Sequence, residues 1–223
     1  MLEEDRRKPP ERYQLPAAKG MTSGEGFAYN FIIHQFLVRH LPINRTKEID
    51  KAMAIGQFGP ALDEVLKRKG ETRGTAGAVA HVDASLIGKI VKGTRKPSKE
   101  VMASTAKHYD DGQLYIAAAG EVTGGAFAPW LNNVDLHRAS VLFKTVEEMK
   151  EVLALTSEAP INKTADQLTE SDRKIMKRLL METVEAITAL THFAAVLCKE
   201  YSFSWLATWK EHRADLKAKK YMK

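Results

Sequence analysis

The stretch from Gly70 to Ser98, GETRGTAGAVAHVDASLIGKIVKGTRKPS, leaves this chain the fewest ways to fold. It contains two short runs with apolar residues three and four apart, the spacing of a helix face. Thr72 can cap the first run, in which Ala76, Val79 and Ala80 form the inward stripe. Asp83 or Ser85 can cap the second, in which Leu86, Ile87 and Ile90 lean inward. Gly93 stops it, because glycine takes the left-handed conformation that a helix end often needs. Pro97 cannot continue what precedes it, and Ser98 opens a third helix over 99–109 with Val101, Met102, Thr105 and Ala106 facing in. The first run, Thr-Arg-Gly-Thr-Ala-Gly, is a poor helix former and must be held by packing.

Charge adds a direction. From Ser85 to Lys99 there are five basic residues, Lys89, Lys92, Arg95, Lys96 and Lys99, and no acidic one. With the apolar positions turned inward, these cations share the outward side. Such a row matches the spacing of nucleic-acid phosphates, and a solvated charged face is the alternative. The whole chain carries a net charge of +6, which favours an acidic partner without naming it.

The segment Ile87-Gly88-Lys89-Ile90-x-x-Gly93-x-Arg95-Lys96-Pro97-Ser98 resembles the end of the recognition helix and the following loop in phage repressors of the Cro and cI type, the XRE family. Three positions depart from the family pattern. Gly77 stands where alanine is usual, at the crossing of the two helices. His81 stands where the turn usually has glycine, and Glu71 replaces an apolar residue before the cap. The resemblance implies a five-helix repressor core over about 58–120 and sequence-specific binding to double-stranded DNA through the major groove. It implies base contacts from Ala84, Ser85, Gly88, Lys89 and Lys92, and phosphate contacts from Arg73, Thr94, Arg95 and Lys96. The function it implies is transcription regulation, as a bacterial or phage repressor acting as a dimer.

The rest of the chain reads as helices too. Residues 1–23, charged and with proline and glycine, read as a flexible arm. Helices are expected at 26–40, where Phe27, Phe31, Ile32, Phe36 and Leu37 recur at helical spacing, and at 47–55. Another starts near Pro60 and ends at Gly70, and a short one covers 114–119. Residues 121–129 look like a linker, and 130–223 like a helical C-terminal domain. In that domain 146–155, a long helix from a Thr169 or Ser171 cap to Tyr201, and 205–220 are expected to be helical. Met176, Leu180, Ile187, Leu190, Ala194, Leu197 and Tyr201 follow a near-heptad along the long helix. That stripe is either the seam of a homodimer or one face of an intrachain bundle. The expected fold class is all-α.

Several chemistries are set aside. The single cysteine, Cys198, excludes an internal disulfide framework and reads as a buried thiol suited to a reducing cytoplasm. The N-terminus lacks a secretory apolar core, and the longest apolar window, 186–198, is shorter than a bilayer span. No zinc, phosphate-loop or dinucleotide motif occurs, His34 and His40 lack further ligands, and His108 to Asp111 reads as a turn. Ala119-Gly120 reads as a helix ending at glycine rather than as a self-cleavage bond. No enzyme, cofactor or metal is expected. The alternative function is a helical protein-interaction module that keeps the two-helix motif as a scaffold.

Overall fold

Hydroxyl and carboxylate oxygens mark the starts of most of the helices. The computed structural model describes residues 56–223, which lie within one compact unit. Among these residues it holds eight α-helices and no strand: α1 (Phe58–Lys69), α2 (Arg73–Ala80), α3 (Ala84–Val91), α4 (Lys99–Tyr109), α5 (Gly112–Thr123), α6 (Arg138–Thr156), α7 (Glu170–Glu200) and α8 (Trp205–Ala218). The all-α class holds. The expected arm over 1–23 and helices at 26–40 and 47–55 lie outside the described residues.

Thr72 Oγ1 accepts from the Thr75 N–H at 3.2 Å, Ser98 Oγ from Val101 at 3.3 Å and Ser204 Oγ from Ala207 at 2.9 Å. Thr169 and Asp172 close a reciprocal capping box at the start of α7. Each bond satisfies a donor that a helix N-terminus leaves open. Gly70, His81, Asp110 and Gly124 end their helices in the left-handed region.

The first five helices enclose one core. Phe58, Leu62 and Val65 of α1 meet Ala76 of α2, Ile87 and Ile90 of α3, Val101, Met102 and Ala106 of α4, and Leu114 and Ala117 of α5. Each large aliphatic side chain buried here stabilises by roughly 1.5–3 kcal/mol. That outweighs the weak propensity of α2, which packs between α3 and α4 and buries only small residues. Thr105 is buried as expected and donates its hydroxyl to the Val101 carbonyl at 2.7 Å, while Val79 and Leu86 are half-buried.

Helix α5 is a shared wall. Its Ile116 belongs to a second cluster with Ala195 and Cys198 of α7 and Trp205 of α8. Cys198 is buried, and burial pushes its thiol pKa up. Helices α6 and α7 run antiparallel: Arg138 pairs with Glu200 at 3.2 Å, and the Thr145 hydroxyl reaches the Ala189 carbonyl at 3.3 Å.

Three elements differ from the sequence expectation. Helix α6 begins at Arg138, eight residues before the expected 146, because His137 caps it and Val141 and Thr145 pack inward ahead of the more obvious apolar run. Helix α5 spans 112–123, not 114–119, so it continues past Ala119-Gly120 and takes its glycine stop at Gly124. The first three residues expected in the linker are therefore helical. The heptad positions Leu180 (61% exposed), Ile187 (50%), Leu190 and Tyr201 (56%) face outward. Helix α7 instead turns Glu182, Ala186, His192, Ala195, Val196 and Cys198 towards the rest of the chain. By length and composition α7 is also the one helix among the described residues that could cross a membrane, although the apolar window read from the sequence, 186–198, was shorter.

Candidate functional site

Two close backbone approaches seat α3. The turn from α2 runs through His81, whose φ of 55° and ψ of 42° place it in the left-handed region, as its turn position requires. The Val82 N–H then bonds back to the Gly77 carbonyl at 2.9 Å. A Cβ added at Gly77 would lie 2.5 Å from the Val82 carbonyl oxygen and 3.2 Å from the Ala84 nitrogen. Glycine at the crossing is thus a steric requirement in this chain. At the other end of α3, a Cβ at Gly59 would lie 2.2 Å from the Ile90 carbonyl oxygen. Gly59 escaped the sequence reading, which took Pro60 alone as the helix-start signal.

Glu71, the other departure, has a polar partner. Its Oε2 accepts the Tyr109 hydroxyl at 2.9 Å, which ties the start of α2 to the end of α4. Burial, reinforced by this carboxylate, pushes the phenol pKa well above its usual value.

The outward side of α3 and its loop carries the candidate residues. Ala84, Ser85, Lys89, Lys92, Thr94, Arg95 and Lys96 are exposed, and Gly88 is partly so. Ser85, Lys89 and Lys92 recur at four and three residues, which puts them on one strip away from the buried Ile87 and Ile90. Lys89, Lys92, Arg95, Lys96 and Lys99 make no ion pair with any described residue. Exposed cations this close together raise the local potential and concentrate anions.

Two members are differently engaged. Arg73 lies across Gly88 and reaches Asp63 at 3.5 Å, a carboxylate that Lys67 already holds at 2.6 Å. Those bonds, Lys67 first, hold Asp63 below the usual carboxylate range. Thr94 directs both its hydroxyl (3.1 Å) and its N–H (2.9 Å) to the Lys89 carbonyl, so it closes the end of α3. Asp83, at the N-cap of α3, is exposed and makes no capping bond through its side chain.

The acidic pair Asp110-Asp111 is a structural junction. Asp110 accepts the Leu206 N–H at 2.9 Å and the Ser204 hydroxyl, while Asp111 caps α5 and pairs with Arg68. A second junction involves Trp130. Gln57 bonds its backbone in both directions, from Nε2 to the Trp130 carbonyl at 3.1 Å and from the Trp130 N–H to Oε1 at 3.2 Å. The Trp130 ring stacks on buried His192 with centroids 4.7 Å apart. His192 Nε2 accepts the Leu131 N–H at 2.9 Å, so Nδ1 carries the proton and donates to the Thr188 carbonyl at 2.8 Å. Burial lowers the imidazole pKa. Neither family models, curated proteins nor solved structures yield a match to this chain.

Proposed function

We propose that the protein binds duplex DNA sequence-specifically, with α3 in the major groove, and regulates transcription as a repressor of phage or bacterial type. The observation that carries this reading is the row of exposed cations on α3 and its loop, none of them ion-paired with a described residue. The helix bearing them is seated by two backbone contacts, so its outward strip is pre-oriented. In this reading Ser85 and Lys89 reach base edges, and Lys92 extends the same strip. Arg95 and Lys96 hold phosphates, and Arg73 can reach one from the start of α2. Ala84 and Gly88 keep the surface low enough for close approach.

We infer further that two copies associate through the outward stripe of α7. Leu180, Ile187, Leu190 and Tyr201 are apolar, periodic and exposed in the single chain, which favours a seam between copies. A symmetric dimer presents two α3 helices to the two halves of a palindrome. The same exposed face supports the second reading, a protein-interaction module without DNA affinity.

Selection from a random duplex pool, followed by binding over a salt series, tests the first reading. A recovered consensus and an affinity falling steeply with salt are expected, since each phosphate contact adds about 0.9 to the log–log slope. On that consensus Lys89→Ala should cost about 1–3 kcal/mol of discrimination between bases, whereas Lys96→Ala should weaken all sequences alike. No enrichment and no salt-dependent binding would leave the interaction module.

A further inference from the structure

Helix α8 meets α5 along a strip of mixed character. Trp205, Trp209 and Arg213 recur every four residues, and Lys210 lies three before Arg213, so all four share one side of α8. With Tyr115 of α5 and Phe127 from the segment after it, they line a groove of about 260 Å³.

The floor of the groove is built into the fold. Trp205 is buried in one cluster with Ile116, Ala195 and Cys198. A Cβ added at Gly112 would lie 3.0 Å from the Trp205 ring, so α5 presses closely on it. Asp110 accepts the Leu206 N–H at 2.9 Å and fixes the start of α8. The Tyr115 ring lies within 23° of parallel to Trp205, with centroids 6.5 Å apart, and Trp209 stands edge-on to Trp205 at 5.8 Å. Pre-formed apolar clefts with a few placed polar groups are where small molecules bind.

Two features select the occupant. Phe127 and Trp209 are 44% and 43% exposed at the same place, so aromatic surface is left open there. Aromatic walls favour a flat ring, because offset and edge-to-face contacts add to area burial. The second feature is charge. Lys210 and Arg213 are exposed, and neither is ion-paired with a described residue. Among the described residues no acidic side chain lines the groove, and Asp215 of the same helix is held by Lys219. A guanidinium and an ammonium together suit a carboxylate, which the guanidinium can grip with two parallel bonds.

We propose that this groove binds a small aromatic carboxylate of one or two fused rings. A cavity of about 150 Å³ holds one benzene ring, so the groove has room for two. The rings lie against Trp205 and Trp209, and the carboxylate meets Lys210 and Arg213. The groove shares no residue with the cations of α3, so the site stands whether or not α3 binds DNA.

Naphthoate is the probe, and naphthamide is its neutral counterpart. Calorimetry on the full chain should show one equivalent of naphthoate bound saturably, with naphthamide at least tenfold weaker. Lys210→Gln combined with Arg213→Gln should weaken naphthoate at least tenfold and leave naphthamide and the Tm unchanged, since both cations are exposed. Trp209→Ala should weaken both ligands. Absence of saturable naphthoate binding below the millimolar range overturns the site. Equal affinity for the acid and the amide does so too, as does binding that none of these variants changes. If a second copy of the chain fills the groove instead, Trp209→Ala will lower the mass in light scattering and naphthoate will not bind, which also overturns the proposal.

Discussion

At Gly77 a single methyl group decides whether the two helices can cross. Glycine to alanine inside a helix normally stabilises by about 0.5–1 kcal/mol. Here the new Cβ meets the Val82 carbonyl at 2.5 Å, and backbone cannot swing aside as a side chain can. Gly77→Ala should therefore destabilise by about 1–3 kcal/mol in urea melts, the usual cost of overpacking. Gly88→Ala is the control. Its Cβ would meet only the Arg73 side chain, at 3.8 Å, so stability should hold or rise slightly. An equal loss in both variants would refute the steric account. Asp172 gives a second test at this scale. Lys163 first, then the Thr169 backbone and hydroxyl, lower its pKa to about 2. A carboxylate with a depressed folded pKa stabilises fully above its unfolded value near 3.8 and loses that contribution as pH falls towards 2. Asp172→Asn should flatten this acid limb, read as amide exchange in the first turn of α7.

Among the elements, α7 has two apolar faces, and among the described residues one of them is packed while the other is exposed. Because Ile187 is half exposed, Ile187→Lys should leave the helical signal and Tm nearly unchanged while converting a dimer to a monomer in light scattering. A large fall in Tm with no change in mass would place Ile187 inside the monomer's own packing instead. The sequence was legible where a signal is local. The caps at Thr72, Ser98 and Thr169 and the left-handed turn at His81 depend on residues within a few positions of each other. It was opaque where the deciding partner is distant. Gly59 matters only because Ile90 arrives above it, and the early turns of α6, begun at the His137 cap, are held by packing that includes the Thr145 contact to α7. Periodicity named the stripe on α7 but not its orientation, since either face satisfied the same spacing. The cations of α3 and its loop were readable in full, as was their outward placement; that none pairs with a described acidic residue required the fold.

Across the whole molecule, His192 couples pH to the packing between the helical groups. It is buried neutral, with a pKa below the 6.5 of a free imidazole, so the unfolded chain takes up the proton first. Stability from this group is complete above about 6.5 and is lost as pH falls through the lower folded value. Protonation also removes the lone pair that accepts the Leu131 N–H. Between pH 7.5 and 5 the parent chain should lose more Tm than His192→Gln, whose amide oxygen can still accept that bond and does not titrate. Trp130, stacked on the ring, should change its fluorescence over the same range. Identical pH profiles for parent and variant would remove His192 from this role.

The grip of Gln57 and His192 on Trp130 and Leu131 has a mechanical consequence. The segment between α5 and α6 is anchored near its middle, to the residue just before α1 and to the inner face of α7. It acts as a strut rather than a tether. In the proposed dimer the seam and the two α3 helices then turn as one rigid body, and the angle between the two α3 helices is fixed before DNA arrives. Inserting five base pairs between half-sites moves the second groove to the far side of the duplex, about half a helical turn. A swivelling linker would follow that rotation, but a strut cannot. Half-sites shifted by half a turn should bind like single sites, and a full-turn insertion, which restores the angle but not the distance, should recover little.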